Sequence, residues 1–377
     1  MSIVMTLVMA GSCRVTLAQP RPPDLAALNQ ACSSAIRQPN LVAAQRDCPQ
    51  AAALAGSGAA TQAAPAVVLA FNNMGDLQLA LGRNSEAEAN YRQALQIRNA
   101  TYGKDSAEAA QSQEAVGNAL MRAGKLAEAE ALFNSALAIR QAKLGAQSVA
   151  AADSLHSLGL AAMAGRRPVD AEGFFRRALA IREKALPATD PLTGRTLSNV
   201  AVAVQAARGA ELATPIYEQA LKLQEAAVGL DDLSLLDTIE SLARAASLRG
   251  RLQEAEIAWR RALAVRQKRQ GPQHPEVATV LNELGLLFVT AKANAAAEDM
   301  LRQALAIRTT AFGNNDLQVA EITNNLGALL FTQNRVADAL PLLQHAASVT
   351  YVALGPDSGI TKTRWNNVSR ALAAAGR

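Results

Sequence analysis

Small residues recur every 42 residues along a chain whose apolar positions otherwise follow a helical pattern. One position holds only glycine, alanine or serine, at Gly75, Gly117, Gly159, Ala201, Ala243, Gly285, Gly327 and Ser369. Two further positions are alanine in every full repeat, from Ala87 to Ala339 and from Ala94 to Ala346. Helices that cross closely need small residues at the point of contact. The pattern therefore predicts tandem pairs of packed helices.

The ends of the predicted helices repeat at the same spacing. Glycine, which favours the left-handed conformation after a helix, recurs with Pro187 as the exception, at Gly103, Gly145, Gly229, Gly271, Gly313 and Gly355. Three residues later come side chains that mostly suit a helix N-cap, at Ser106, Ser148, Asp190, Asp232, His274, Asp316 and Ser358. Each repeat thus predicts a cap, a helix A, a short turn such as those near Gly82 and Gly124, and a helix B.

These signals divide the chain into four parts. Residues 65–358 form seven 42-residue units, and residues 359–377 match a lone helix A that would close the array, with Lys362, Arg364 and Arg370 on its polar face. Residues 19–64 are predicted to form a degenerate helical hairpin, with helical stretches at 24–36 and 41–54, followed by a flexible connection. Residues 1–18 are predicted to be a signal peptide.

The amino-terminal prediction has alternatives. Residues 1–10 are apolar and uncharged, and Thr16-Leu17-Ala18 before Gln19 resembles a signal-peptidase site. No Lys or Arg precedes the apolar stretch, however, so a simple tail is the alternative, and residues 10–13 loosely resemble a lipoprotein cleavage sequence. Export would place the protein in the periplasm or outside the cell; otherwise it is cytoplasmic. Cys32 and Cys48 then form either a disulfide or two buried thiols.

Composition narrows the classes of partner. The net charge is +5, basic and acidic residues are mixed, and aromatics make up only 3% of the chain. Nucleic-acid binding would require a basic face or stacking aromatics, so we do not expect it. Beyond the amino terminus, no segment approaches the roughly 18 apolar residues of a membrane span. The sequence does not indicate an oligomeric state.

The repeats resemble the tetratricopeptide repeat in its 42-residue, kinesin-light-chain-like form. Phe71-Asn72-Asn73-Met74-Gly75 looks like the family's helix A, residues 177–184 look like its helix B, and residues 271–278 resemble its linker. The resemblance covers residues 65–377. It implies an all-α fold, a right-handed α-solenoid superhelix of tandem helix-turn-helix repeats. A fold of this kind does not specify its ligand.

We find no sequence pattern of an enzyme, a metal site or a cofactor site. His274 occupies a cap position, and His156 and His345 have no Cys or His partner nearby, so structural roles are predicted for all three. Arginine also recurs in the last turns of helix B, at Arg98, Arg140, Arg182, Arg266 and Arg308. We interpret this column as complementing the helix dipole and pairing with nearby acids. An outer basic stripe is the alternative.

The resemblance implies that helix A residues line a concave groove for a peptide or protein partner. Carried over position by position, the groove residues are Asn73, Asn118, Arg122, Arg195, Asn199, Arg244, Asn282 and Asn325. An asparagine amide can bond any peptide backbone, and an arginine can bind a carboxylate with two hydrogen bonds. Arg195 and Asn199 match the Lys-x-x-x-Asn pair of the family's carboxylate clamps, although Asp153 and Asp237 stand where a clamp needs cations.

The functional hypothesis is therefore a non-enzymatic scaffold that mediates protein–protein interaction through its helix A groove. The alternative is a cytosolic regulatory or adaptor array that serves a separate effector enzyme. An enzyme with an unfamiliar site is the third interpretation, and it would require a convergent cluster of perturbed carboxylates or histidines.

Overall fold

The computed structural model describes residues 24–38, 40–57 and 64–376. Within these ranges the chain forms α-helices and one short 3-10 turn, Leu233–Leu235, and no strand. The helices are α1 (Leu25–Arg37), α2 (Leu41–Gly56), α3 (Ala64–Ala80), α4 (Asn84–Tyr102), α5 (Ala107–Arg122), α6 (Leu126–Leu144), α7 (Val149–Ala164), α8 (Pro168–Ala185), α9 (Pro191–Arg208), α10 (Ala210–Val228), α11 (Leu236–Leu248), α12 (Leu252–Gln270), α13 (Pro275–Thr290), α14 (Asn294–Phe312), α15 (Leu317–Thr332), α16 (Val336–Leu354) and α17 (Gly359–Ala375).

The predicted signal peptide, the lipoprotein-like sequence at 10–13 and the centre of the predicted connection at 58–63 lie outside the described residues. In the described part of the chain, no helix is both long enough and apolar enough to cross a bilayer. The chain divides into two compact units, Met1–Lys125 and Leu126–Arg377, and each is described by itself below. We call the odd-numbered helices from α3 onward helices A and the even-numbered ones from α4 onward helices B.

A disulfide holds the first hairpin of the first unit together. Cys32 of α1 and Cys48 of α2 are joined, with their Cα atoms 4.9 Å apart. Both cysteines are fully buried, and they pack with Ala44 and Leu77 in one small apolar cluster. The disulfide therefore lies in the contact between the hairpin and the first helix A.

Four glycines of helices A face a large side chain sixteen positions later in helix B. A methyl group added at Gly159 would lie 2.4 Å from a ring carbon of Phe175, and one added at Gly75 would lie 2.5 Å from the ring of Tyr91. At Gly285 the large neighbour is Leu301. Glycine fits these three places because a Cβ added to the backbone as it stands would overlap the facing side chain. This contact fixes how closely helices A and B of one repeat approach.

The predicted helix ends form with two exceptions. The six glycines after helices B have positive φ values, between 78° and 94°. After α8, where Pro187 replaces glycine, Leu186 takes an extended conformation instead. The cap side chains accept backbone N–H bonds at six of the seven positions, for example Ser106 Oγ from Ala109 at 3.1 Å. Ser358 makes no such bond, so the prediction is wrong at the start of α17.

Two arginines of the helix B column bind a hydroxyl of the next repeat. Arg98 donates to Ser112 Oγ at 3.1 Å, and Arg140 donates to Ser154 Oγ at 2.9 Å. Each hydroxyl lies fourteen residues further along, in helix A of the next repeat. Arg140 is only 6% exposed. At these two positions the guanidinium therefore ties its own helix B to helix A of the next repeat.

Two arginines of this column also form ion pairs within their own repeat. Arg182 Nη2 lies 2.6 Å from Asp153 Oδ1, and Arg266 Nη2 lies 2.7 Å from Glu240 Oε1. This confirms the predicted pairing with nearby acids at these two positions. Since Arg182 is 2% exposed, the alternative of an outer basic stripe is wrong there. Burial favours such a pair over an unpaired guanidinium, which would lose its hydration without compensation.

The closing helix α17 differs from the prediction at one residue. Lys362 and Arg370 are exposed, as expected of a polar face. Arg364 is buried at 8% exposure and donates to Thr350 Oγ1 of α16. The polar face of α17 is therefore narrower than the sequence pattern indicates, because one of its cations packs against the preceding helix B.

Candidate functional site

Asparagines of helix A connect successive helices A to one another. Asn325 Nδ2 donates to Asn282 Oδ1 at 3.0 Å, and Asn367 Nδ2 donates to Asn324 Oδ1 at 3.2 Å. In both pairs the partners are 43 residues apart, one repeat plus one position. Asn282 is only 7% exposed. Two of the predicted groove residues, Asn282 and Asn325, thus hydrogen-bond each other, and Asn282 offers little of its amide to a partner.

Asn73 has a comparable position in the first unit. Its Nδ2 donates to the carbonyl of Asn29 at 3.3 Å, and its Oδ1 accepts from Ser33 Oγ at 3.0 Å. Both partners belong to α1, and Asn73 is 5% exposed. Its side chain therefore joins α3 to the disulfide-linked hairpin. Sequence reasoning could not separate this role from binding, because α1 lies outside the regular repeat.

Asn118 and Arg122 lie one turn apart on α5 of the first unit. Asn118 is half-buried and Arg122 is exposed. The Arg122 Nη1 is 3.5 Å from the carbonyl of Leu79, the long limit of a hydrogen bond. The Arg122 carbonyl accepts from Asn84 Nδ2 at 3.0 Å. The backbone of Arg122 is thus fixed by the neighbouring repeat, while its guanidinium stays available to a ligand.

The second unit places Arg195 and Asn199 on one face of α9. Arg195 is exposed, and no ion pair involves it within the described ranges. Asn199 is half-buried, and its Nδ2 lies 3.2 Å from Nε2 of His156 on α7. Arg195 and Asn199 are therefore brought together, as predicted, but the amide also links two helices A.

His156 has a structural environment. Burial, with smaller contributions from the positive charges of Arg182 and Arg195, lowers its pKa to about 4. The ring lies 5.3 Å from the ring of Phe175, centre to centre. A neutral imidazole can accept from the Asn199 amide through Nε2, so the low pKa and the hydrogen bond favour the same state. His274 Nδ1 meanwhile accepts from the Glu276 N–H at 3.2 Å, which confirms its predicted cap role.

Arg244 occupies the equivalent surface on α11. It is exposed, its guanidinium lies 5.5 Å from the centre of the Trp259 ring, and its Nη2 lies 3.7 Å from Glu240 Oε2. A cavity of about 600 Å³ lies beside it, between α9, α10 and α11, and is also lined by Gln205 and Tyr217. The aromatic contact orients the guanidinium while leaving donors free for a ligand.

We define the helix A surface of the second unit by the side chains that α7, α9, α11 and α15 expose or half-expose at Asp153, Arg195, Asn199, Arg244 and Glu321. Its charges alternate in sign from one repeat to the next at the position shared by Asp153, Arg195 and Asp237. Among the residues that the structure describes, no group of three or more His, Cys, Asp or Glu side chains is arranged to hold a metal ion. The chemistry of this surface is that of hydrogen bonding and charge recognition.

Sequence comparison decides the family. The sequence profile of the tetratricopeptide repeat matches residues 66–142, 108–184 and 234–310, and a second profile of the same repeat matches residues 319–358. These matches span more than half of the chain. The chain belongs to the tetratricopeptide repeat family. Membership confirms the resemblance drawn from the repeat positions and, together with the helices above, makes the fold an all-α repeat solenoid.

Solved structures include the same fold. The apo form of the quorum sensor NprR from B. thuringiensis has a TM-score of 0.62 at 14% identity, over 88% of this chain and 89% of its own. BtubC (BKLC) from P. vanneervenii has a TM-score of 0.50 at 20% identity, over 66% and 94%. Nearly identical TPR-like repeats of a Podosopora anserina kinesin light chain have a TM-score of 0.45 at 24% identity, over 53% and 95%. No curated protein matches the chain.

Proposed function

We propose that this tetratricopeptide repeat protein is a non-enzymatic scaffold that binds a peptide or a segment of a partner protein along its helix A surface. The observation that carries the proposal is Arg195. Its guanidinium is exposed on α9, one turn from Asn199, and forms no ion pair in the described part of the second unit. Family membership supports a binding role, because repeat arrays of this kind present extended surfaces to partners.

The side chains of this surface suit peptide recognition. Arg195 can bind a carboxylate of the partner through two parallel hydrogen bonds. Arg244, held over Trp259, offers a second cation on α11, the next helix A. Asn199 retains an amide oxygen after its Nδ2 contacts His156, so it can still accept a backbone N–H. Arginine is one of the residue types enriched among those that contribute most to binding energy at protein interfaces.

A charge reversal at Arg195 tests the proposal. The variant Arg195→Glu changes an exposed side chain, whereas replacing Asn199 would also break its contact with His156. The matched control is Arg177→Glu on α8, an exposed arginine of a helix B. Tagged full-length protein and both variants are expressed in the native host, and the co-purified proteins are compared by quantitative mass spectrometry. We expect Arg195→Glu to lose partners that Arg177→Glu retains. An identical partner set in all three samples would remove the Arg195 face of α9 from consideration.

The co-purified proteins also distinguish the scaffold from the alternative, an adaptor that serves a separate effector enzyme. An adaptor that serves a separate effector enzyme predicts that the co-purified set contains an enzyme whose activity changes when the array is added. A binding scaffold without that role predicts partners whose activity does not depend on the array. Either outcome is compatible with a groove on helices A, so the Arg195 comparison is evaluated first.

We further propose that the protein is exported to the periplasm or secreted. The disulfide between Cys32 and Cys48 supports this, because disulfides persist in oxidising compartments and are rare in the cytosol. The apolar amino-terminal ten residues and the Thr16-Leu17-Ala18 sequence support it from the sequence side.

A further inference from the structure

A polar cavity of about 300 Å³ lies on the helices A of the second unit, between α13 and α15. Its wall includes Glu283 of α13, Glu321 of α15 and Arg308 of the intervening helix α14. None of these three residues was a predicted groove residue. Both signs of charge thus meet in one small concave site, which suits a ligand that carries both an acceptor and a cation.

Arg308 is a buried arginine without a carboxylate. It is 6% exposed, and its Nη2 donates to Thr279 Oγ1 at 3.0 Å. Its Nε is buried without a hydrogen-bond partner, and within residues 64–376 no acid lies at ion-pair distance from it. At the equivalent position of another repeat, Arg182 pairs with Asp153. Buried donors without acceptors are costly, so a ligand oxygen that accepts from this guanidinium would be stabilised.

Glu283 and Glu321, in contrast, are acceptors without a donor. Neither makes a hydrogen bond or an ion pair with another described residue. Burial raises the pKa of Glu283, the negative charges of Glu321 and Glu240 raise it further, and Arg244 opposes the change. A cation placed between Glu283 and Glu321 would relieve their repulsion and compensate for the partial burial of Glu283.

The combination selects one class of ligand. A free anion would be attracted by Arg308 but repelled by the carboxylates of the wall, which also include Glu276. A metal ion would be attracted by the carboxylates but repelled by the buried guanidinium. A peptide residue with a basic side chain satisfies both groups, because its backbone carbonyl is an acceptor and its side chain carries the cation.

We propose that this cavity binds one lysine or arginine residue of an extended peptide, with Arg308 donating to the peptide carbonyl and with Glu283 and Glu321 pairing with the basic side chain. The inference rests on the proposed function, since it assigns the chemistry of a peptide that lies on the helix A surface. It predicts a partner segment with a basic residue at the α13–α15 end of that surface.

Capped heptapeptides of serine and alanine test the cavity without any natural partner. The central residue is lysine, arginine, glutamine or glutamate, and each peptide is titrated into ¹⁵N-labelled full-length protein. Amide shifts of α13 and α15 give the dissociation constants. We expect saturable shifts with lysine and arginine, and affinity weaker by about tenfold, equivalent to about 1.4 kcal/mol, with glutamine. Equal affinity for the lysine and glutamine peptides, or preference for glutamate, would overturn the proposal.

Variants assign the two halves of the site. Glu283→Gln combined with Glu321→Gln should abolish the preference for lysine over glutamine, whereas Glu183→Gln, an exposed glutamate of α8, should retain it. Arg308→Lys should weaken the binding of the lysine peptide and of the glutamine peptide by a similar factor, because both peptides use the same carbonyl contact. Circular dichroism melting verifies that each variant folds. Preference retained in the double glutamine variant would contradict the assignment.

The two proposals fail in different ways. If the wild-type protein does not prefer the lysine peptide, and the partner set still depends on Arg195, the cavity assignment alone is overturned. A lysine preference at α13–α15 together with a partner set insensitive to Arg195→Glu would overturn the binding role of α9 and leave the cavity as the site.

Discussion

Arg364 of α17 donates a hydrogen bond to the hydroxyl of Thr350 in α16. Arg182 of α8 and Thr196 of α9 make the same contact with the two residue types exchanged between helix B and helix A. In both pairs the partners are fourteen residues apart. In these two pairs either helix supplies the arginine, because the bond joins the same two points on adjacent helices.

Exchanging the two residue types tests whether the contact between α16 and α17 accepts either order. Arg364→Ser removes the donor and should destabilise α17 by about 1–3 kcal/mol, since Thr350 then loses a charge-assisted bond. Thr350→Arg alone places two guanidiniums together and should also be destabilising. The double variant should recover most of the loss. Hydrogen exchange of the α17 amides measures each effect locally, which suits an array that need not unfold in one step. No recovery in the double variant would contradict the exchange.

Gly159 provides a test of the close approach between helices A and B. Gly159→Ala places a methyl group 2.4 Å from the Phe175 ring, so the helices must separate. We expect a loss of about 1 kcal/mol, at the low end for overpacking, because Ala201 packs opposite Tyr217 at this position of another repeat. Gly173→Ala is the control. It lies in helix α8 with nothing within 4 Å of the added methyl group, and alanine should stabilise the helix by up to about 1 kcal/mol. Urea unfolding compares the two, and opposite signs are the expected result.

Stability should depend on pH through His156. Its pKa is lowered to about 4 by burial, with smaller contributions from Arg182 and Arg195. The unfolded chain protonates this residue near its ordinary value of 6.5. Stability from the neutral ring is therefore complete above about pH 6.5 and decreases as the pH falls towards 4. His156→Asn should lose less stability than the wild type between pH 7 and pH 5. Since the carboxylates are common to both proteins, parallel pH curves would show that His156 does not contribute.

The oxidation state and the first residue of the mature chain test export. Protein from the native host should begin at Gln19, and alkylation before reduction should leave Cys32 and Cys48 unlabelled. The cytosolic alternative predicts an intact amino terminus and two labelled thiols, which mass spectrometry distinguishes.

The disulfide between Cys32 and Cys48 spans 16 residues of sequence. Replacing both cysteines with serine should therefore destabilise the first hairpin by about 3 kcal/mol, from the greater freedom of the unfolded chain.

Some site residues could be predicted from the sequence and others could not. Arg195 and Asn199 meet because residues four apart share a face of any helix, which depends only on local geometry. Asn73 and Asn282 have the residue type expected of a groove but are buried between helices. The cavity at Arg308 could not be predicted from the repeat, because its charged residues come from three helices and no other repeat has a glutamate at the positions of Glu283 and Glu321.

The sequence by itself determined the repeat, the order of helices and their caps, because small residues, glycines and cap side chains act on backbone within a few positions of themselves. It also determined the family, since those positions are what the family shares. Only the tertiary structure decided where the arginines of helix B point and which asparagines remain open. Those contacts join residues 14, 29 or 43 positions apart, and such partners meet only where helices pack against one another. The same packing decides which side chains lose their contact with water.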